Sequence, residues 1–172
     1  MKLKNFFYYS LYSILGRYLP ISYHIGGNFA KKTRYLFLNK YVEQCGKNVN
    51  FERNCSITST LKVGDNSSIG VNAVVGDYVT IGKDVMMGPN CIIYTRNHKH
   101  EISDIPFSEQ GYEDYKPVFI DDNVWIGEGV KIMPGVKINK NTVVAAGAIV
   151  TKEFPPNCII GGNPARVLKE LK

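Results

Sequence analysis

Several things are scarce in this chain, and each scarcity removes a class of function. Cysteine occurs four times, as Cys45, Cys55, Cys91 and Cys158, widely spaced and without a C-x-x-C pair. That speaks against zinc ribbons and thioredoxin chemistry, and the four are expected as reduced thiols in a cytosolic protein. Histidine is confined to His24, His98 and His100. No apolar run reaches the roughly 20 residues that a membrane span needs. The nearest approach is the Tyr- and Phe-rich stretch up to Leu15, behind Lys2 and Lys4. It imitates a signal peptide, but no A-x-A-like cleavage site follows and Gly16-Arg17 stops it, so a packing or surface helix is expected. Acidic residues are missing from the first quarter: residues 1–44 hold Glu43 alone against Lys2, Lys4, Arg17, Lys31, Lys32, Arg34 and Lys40. Residues 45–172 hold fourteen of each sign, so the whole net charge of +6 sits in the N-terminal segment.

What the chain has in abundance is a period of six. Stepping from Cys45 gives Phe51, Ile57, Val63, Ile69, Val75, Ile81, Met87 and Ile93, all apolar. The step resumes with Ile120, Ile126, Ile132, Ile138, Val144 and Val150. Neither a helix nor a flat strand produces that period. The next residue is often Gly, and the fourth is Asn, Asp or Gly in eleven of fifteen hexads. Those residue types accept left-handed backbone angles at low cost. The fifth position is mostly small or apolar, as in Val49, Cys55, Ala73, Val79, Val124 and Ala148. Each hexad therefore reads as a short strand, a turn and a second inward side chain, and three hexads close a triangular coil. About five coils are expected, in a prism roughly 20–25 Å tall at about 4.8 Å per strand. The repeat residues are expected in the core.

The period breaks once, over residues 99–119, directly after Asn97-His98. A structureless loop of that length is uncommon in a compact domain and is often functional. It mixes Glu101, Asp104, Glu109, Glu113 and Asp114 with Phe107, Tyr112 and Tyr115. Two uses fit: contacts to a polar ligand, or packing on a neighbouring subunit. His98 stands where the regular wall opens, and an imidazole near its ordinary pKa takes up a proton at neutral pH.

The string Tyr94-Thr95-Arg96-Asn97-His98 resembles the segment that carries the catalytic histidine in galactoside, maltose and xenobiotic acetyltransferases of the hexapeptide-repeat family. The resemblance continues through Ile120–Gly127, with its Asn123-Val124-Trp125, then Ile132–Val136, Ala145–Lys152 and Gly161–Val167. It implies an all-β fold, a left-handed parallel β-helix, and direct acetyl transfer from acetyl-CoA with His98 as general base and no required metal. It implies coenzyme contacts at Ala146, Thr151, Lys152 and Arg166, acceptor contacts at Asn72 and Asp77, and a homotrimer with Trp125 near a subunit boundary. Asn72 also occupies a left-handed hexad position, where a conformational role serves equally. The acceptor expected is a carbohydrate hydroxyl, in cell-surface polysaccharide synthesis. The alternatives are the amine of a nucleotide-linked sugar and a xenobiotic hydroxyl. A γ-class carbonic anhydrase needs three zinc-binding histidines, and His24 is far outside the repeat; a non-catalytic scaffold would not need the His98 loop. No nucleic-acid partner is implied.

Three segments are expected: a basic aromatic helical extension over 1–44, the β-helix over 45–163, and a C-terminal tail helix over 164–172. The extension has two compatible uses, covering the open end of the β-helix and lying against an anionic bilayer at the inner face of the membrane.

Overall fold

The structure is a computed structural model describing residues 3–172; Met1 and the basic Lys2 lie outside the described residues. Strand geometry is confined mostly to two residues per hexad, after which the chain turns. Strands pair in parallel with strands eighteen residues on, Cys45 with Val63, Val63 with Ile81, and Phe51 with Ile69. Every third hexad is thus stacked on its predecessor, and the coil has three faces. Face one carries Gln44–Cys45, Lys62–Val63, Val79–Ile81, Val118–Ile120 and Lys137–Ile138. Face two carries Asn50–Phe51, Ser68–Ile69, Met86–Met87, Trp125–Ile126, Val143–Val144 and Cys158–Gly162. Face three carries Val74–Val75, Ile92–Ile93, Lys131–Ile132 and Ile149–Val150.

The inward columns are the core. The apolar first-position residues from Phe51 to Val150 are all buried, as are the fifth-position residues Val49, Cys55, Val79, Val124 and Ala148. Each large aliphatic buried this way contributes about 1.5–3 kcal/mol. Burial also pushes the Cys55 thiol up to about 11, which keeps it a protonated, unreactive core side chain. The glycine after the strand serves a different need from the turn residues. A Cβ on Gly70 would lie 1.9 Å from the Gly88 carbonyl oxygen, so the close approach of successive rungs demands glycine there.

At most corner positions the backbone is left-handed, and Asn or Asp fills the majority of those. Between faces one and two, Asn48 donates to Asn66 and Asn66 to Asp84. Between faces two and three, Asn54 donates to Asn72, Asn72 to Asn90 and Asn90 to Glu128. These side-chain ladders tie rung to rung outside the core. Tyr78, at the third corner, is the one tyrosine with this backbone (φ 57°) among the described residues.

The N-terminal segment forms α1 (Leu3–Ile14), a short 3-10 turn (Gly16–Tyr18) and α2 (Gly27–Leu38). They sit over the first rungs: Tyr12 donates to the Cys55 carbonyl at 2.6 Å, and buried Arg34 donates to the Phe51 and Pro20 carbonyls and lies 3.4 Å from Glu52. Ser22 and Asn50 donate to the same Glu52 carboxylate. Burial alone would raise the Glu52 carboxyl; the Ser22 and Asn50 hydrogen bonds and the Arg34 charge outweigh it and hold it below the ordinary range. Among the described residues no helix is long and apolar enough to cross a membrane.

The tail departs from expectation. Residues 164–172 do not form a helix; Ala165–Glu170 is a strand antiparallel to Cys158–Gly162. The last strand of face two would otherwise end with its backbone groups unpaired, and the tail supplies partners at no cost in chain length.

Candidate active site

The wall opens at the third corner, between faces three and one. The chain leaves face three after Ile93, and face one resumes with Val118 paired to Val79 and Ile120 to Ile81. The excursion therefore ends at Pro117, two residues earlier than expected, because Val118 is itself an inward core residue. Its two ends form a small hairpin: Glu113 N–H donates to the Asn97 carbonyl at 2.9 Å and Lys99 N–H to the Gly111 carbonyl at 3.0 Å. His98 and Tyr112 face each other in that bridge. The imidazole lies against the Tyr112 ring, centroids 4.0 Å apart, and is otherwise exposed.

A second layer holds the hairpin to the wall. Arg96 places its guanidinium 4.2 Å from the Tyr112 ring centre and 4.6 Å from that of Tyr115. Tyr115 donates to Asp77 Oδ2 at 3.1 Å, and Thr60 donates to Asp77 Oδ1 at 3.2 Å. Desolvation, then the Asp77 contact, raises the Tyr115 phenol, which keeps it a neutral donor. The Tyr78 ring closes on Tyr115 at 5.0 Å, and its N–H donates to Thr60. Tyr112 and Tyr115 are thereby spent on architecture, while Phe107, Ile102 and Ile105 remain outward. Glu113 is held below the ordinary carboxylate range by Lys116, which donates to it at 2.8 Å.

The residues singled out from sequence divide between two corners. Asp77, His98, Thr151 and Lys152 follow strands of face three and share the third corner; Lys152 lies 5.6 Å from the Phe154 ring centre. Asn72 and Ala146 lie at the second corner, between faces two and three, and Arg166 stands opposite Gly161 at the same end of face two. One side of six residues spans on the order of 20 Å at about 3.3 Å per residue. A single chain therefore does not bring Asn72 to His98. Ala146 is exposed beside Gly147, where an added Cβ would meet nothing within 4 Å, so the wall there is open to an extended arm. Exposed Arg166 and Lys152 suit phosphate. Trp125 stands outward on face two beside Met86, both about half exposed. Among the described residues no group of three His, Cys, Asp or Glu could hold a metal ion.

Sequence reasoning missed Thr60 and the Arg96–Tyr112–Tyr115 stack. One signal was available: Tyr78 occupies a left-handed hexad position that elsewhere takes mainly Asn, Asp or Gly, which marks that corner as specialised.

The chain matches the family description "Bacterial transferase hexapeptide (six repeats)" over residues 117–152 and "Hexapeptide repeat of succinyl-transferase" over 60–76. A maltose O-acetyltransferase structure from Clostridium difficile is 32% identical, covers 98% of this chain and 87% of its own, and superposes with a TM-score of 0.80. A hexapeptide-repeat acetyltransferase of Vibrio cholerae in complex with acetyl-CoA is 32% identical over 82% of this chain and 78% of its own, TM-score 0.72. The galactoside O-acetyltransferase of Escherichia coli is 40% identical over 129 residues, 73% of this chain and 56% of its own length. The chain spans 42–59% of the length of the curated relatives it matches first. These likenesses give the coil its hand, which is left.

Proposed function

Because the chain belongs to the hexapeptide-repeat acetyltransferases, we propose that it transfers the acetyl group of acetyl-CoA to a carbohydrate hydroxyl. The observation that carries this reading is His98: exposed, at the opening of the wall, and braced by its own hairpin and by Tyr112. Acetyl-CoA supplies an acyl carbon activated as a thioester. His98 takes the acceptor's hydroxyl proton as that oxygen bonds to the acyl carbon. The C–S bond breaks and the imidazolium returns the proton to sulfur, leaving an acetyl ester and a free thiol. Lys152 and Arg166 pair with the coenzyme's phosphates, and Ala146 and Thr151 flank its arm. Asp77, with both oxygens already engaged, positions the loop through Tyr115. Asn72 faces the acceptor from the opposite corner.

The separation of those corners supports a homotrimer in which the third corner of one chain meets the second corner of the next, a head-to-tail contact that closes as a ring. Trp125 would lie at that boundary. Related proteins named for maltose and galactoside favour a sugar hydroxyl over an amine, and cell-surface polysaccharide synthesis at the cytoplasmic side of the membrane is the setting we assign. In that setting the N-terminal cap lies against an anionic bilayer. Phe29, Lys32 and Leu36 make one outward stripe of α2, and Ile25 beside it is fully exposed. Co-sedimentation with vesicles containing phosphatidylserine should be seen and should weaken with added salt; equal binding to purely phosphatidylcholine vesicles would count against the charge argument.

The test of function is a screen for thiol release from acetyl-CoA against free sugars, nucleotide sugars and lipid-linked glycans. The product is then treated with mild alkali and weighed by mass spectrometry. An ester loses its acetyl group. An alkali-stable product would make the enzyme an N-acetyltransferase, and no thiol release from any sugar would refute the carbohydrate reading.

A further inference from the structure

A groove of about 480 Å³ opens between the N-terminal cap and the second corner of the first two coils. Its cap side is Arg17, Tyr18 and Ile21; its coil side includes Arg53, Asn54 and Asn72. Among the described residues no acidic side chain lines it. The nearest carboxylate in sequence, Glu52, is turned away toward Arg34, Ser22 and Asn50. Arg17, which lines the groove, is held in place by a 3.0 Å bond from Nε to Asn54 Oδ1, and its two terminal amino groups have no hydrogen-bond or ion-pair partner among the described residues. Asn54 is fixed in turn by its bond to Asn72, so the ladder of the second corner sets the guanidinium's position. Arg53 is exposed on the opposite wall, with no ion pair among the described residues. Tyr18 and Ile21 add apolar surface beside the charges.

From this we propose that the groove binds the diphosphate of an anionic acceptor, a sugar carried on a diphosphate ester, with Arg17 and Arg53 as its two clamps. Two guanidinium forks with no counter-charge match two phosphoryl groups, and flanking amides suit the attached sugar. That Asn72 borders both this groove and the acceptor side of the site rests on the acetyl-transfer reading above; the anion site itself does not. A diphosphate ester reaches a cell-surface glycan either on a nucleoside or on a polyprenyl carrier. The groove recognises what the two share.

The test uses full-length protein saturated with coenzyme A, so that the coenzyme's own phosphate contacts are occupied. Inorganic pyrophosphate is titrated calorimetrically into wild type, Arg53→Gln and Arg17→Gln. Binding should weaken about 10- to 100-fold in each variant, the range for a lost charge-assisted contact. Arg53→Gln removes an exposed side chain with no bond to the cap, so it reports on the groove even where Arg17→Gln loosens the fold. Pyrophosphate that fails to bind, or that binds wild type and Arg53→Gln alike, overturns the proposal. In a second arm, a nucleoside diphosphate sugar and a polyprenyl diphosphate sugar in phosphatidylcholine vesicles are compared as acceptors. A KM raised in Arg53→Gln for either one, with the KM for acetyl-CoA unchanged, supports the proposal and identifies the carrier. Pyrophosphate binding that depends on Arg53 without thiol release from either acceptor keeps the groove as an anion site but overturns its assignment to a diphosphate-linked acceptor, while the acetyl-transfer reading falls only if the wider screen of sugars also gives no thiol release.

Discussion

His98 is braced by main chain on one side and by the Tyr112 ring on the other, while its open face looks to solvent. None of those contacts reaches the core columns, so removing the imidazole should leave folding and coenzyme binding intact. His98→Ala is expected to lower turnover roughly 10²–10⁴-fold, the range for loss of a general base, with the thermal midpoint unchanged. Near-normal turnover would move the chemistry elsewhere. Asn72 shows the opposite situation. Its side chain accepts from Asn54 and donates to Asn90, so the conformational role open in the sequence is realised, and any acceptor contact must use the rim that the ladder leaves free.

Among elements, the cap is the part whose hold on the prism depends on charge. Buried Arg34 and Glu52 join α2 to the first rungs, with Ser22 and Asn50 completing the carboxylate's partners. A carboxyl held below its ordinary range contributes stability that is fully present above the unfolded value, near 4.3, and is lost as pH falls through the lower folded value. Acid should therefore loosen the cap before the prism, seen as faster amide exchange at Arg34 and Ser22 while Ile126 and Ile132 stay protected. Glu52→Gln should cost about 3 kcal/mol at neutral pH by leaving Arg34 unpaired and should flatten this acid response. Exchange in the cap that ignores pH would contradict the assignment. The strands were legible in the sequence because each obeys a local rule: an aliphatic points in, and an Asn, Asp or Gly turns the corner. The tail was not. Ala165–Glu170 takes its form from an unpaired strand edge several residues away in the chain, which no local pattern announces. The third corner was half legible. His98 stood out at the break, but the stack of Arg96 between Tyr112 and Tyr115 depends on how the loop folds back, a long-range fact.

At the scale of the whole molecule, the division of the site between two corners makes assembly part of the chemistry. A ring in which each site takes its third corner from one chain and its second from the next can be tested by mixing. His98→Ala spoils only the third corner, and Ala146→Trp, which crowds the exposed wall, spoils only the second. Each alone should be inactive. Refolded together at equal amounts, they should recover roughly a quarter of wild-type activity, because a mixed ring of three holds one intact junction. Recovery no greater than the sum of the parents would mean that each chain carries its own complete site. The stride of eighteen residues from rung to rung has a consequence for how such a chain can change in length. Eighteen residues removed from the middle delete one storey and leave every later side chain on its own face. Six removed would rotate everything downstream by one face, carrying the Lys152 corner away from His98. Length in this architecture is therefore quantised along the wall and free only at the corners, and the His98 excursion uses that freedom: it adds 21 residues at a corner, and Val118 still meets Val79 in register.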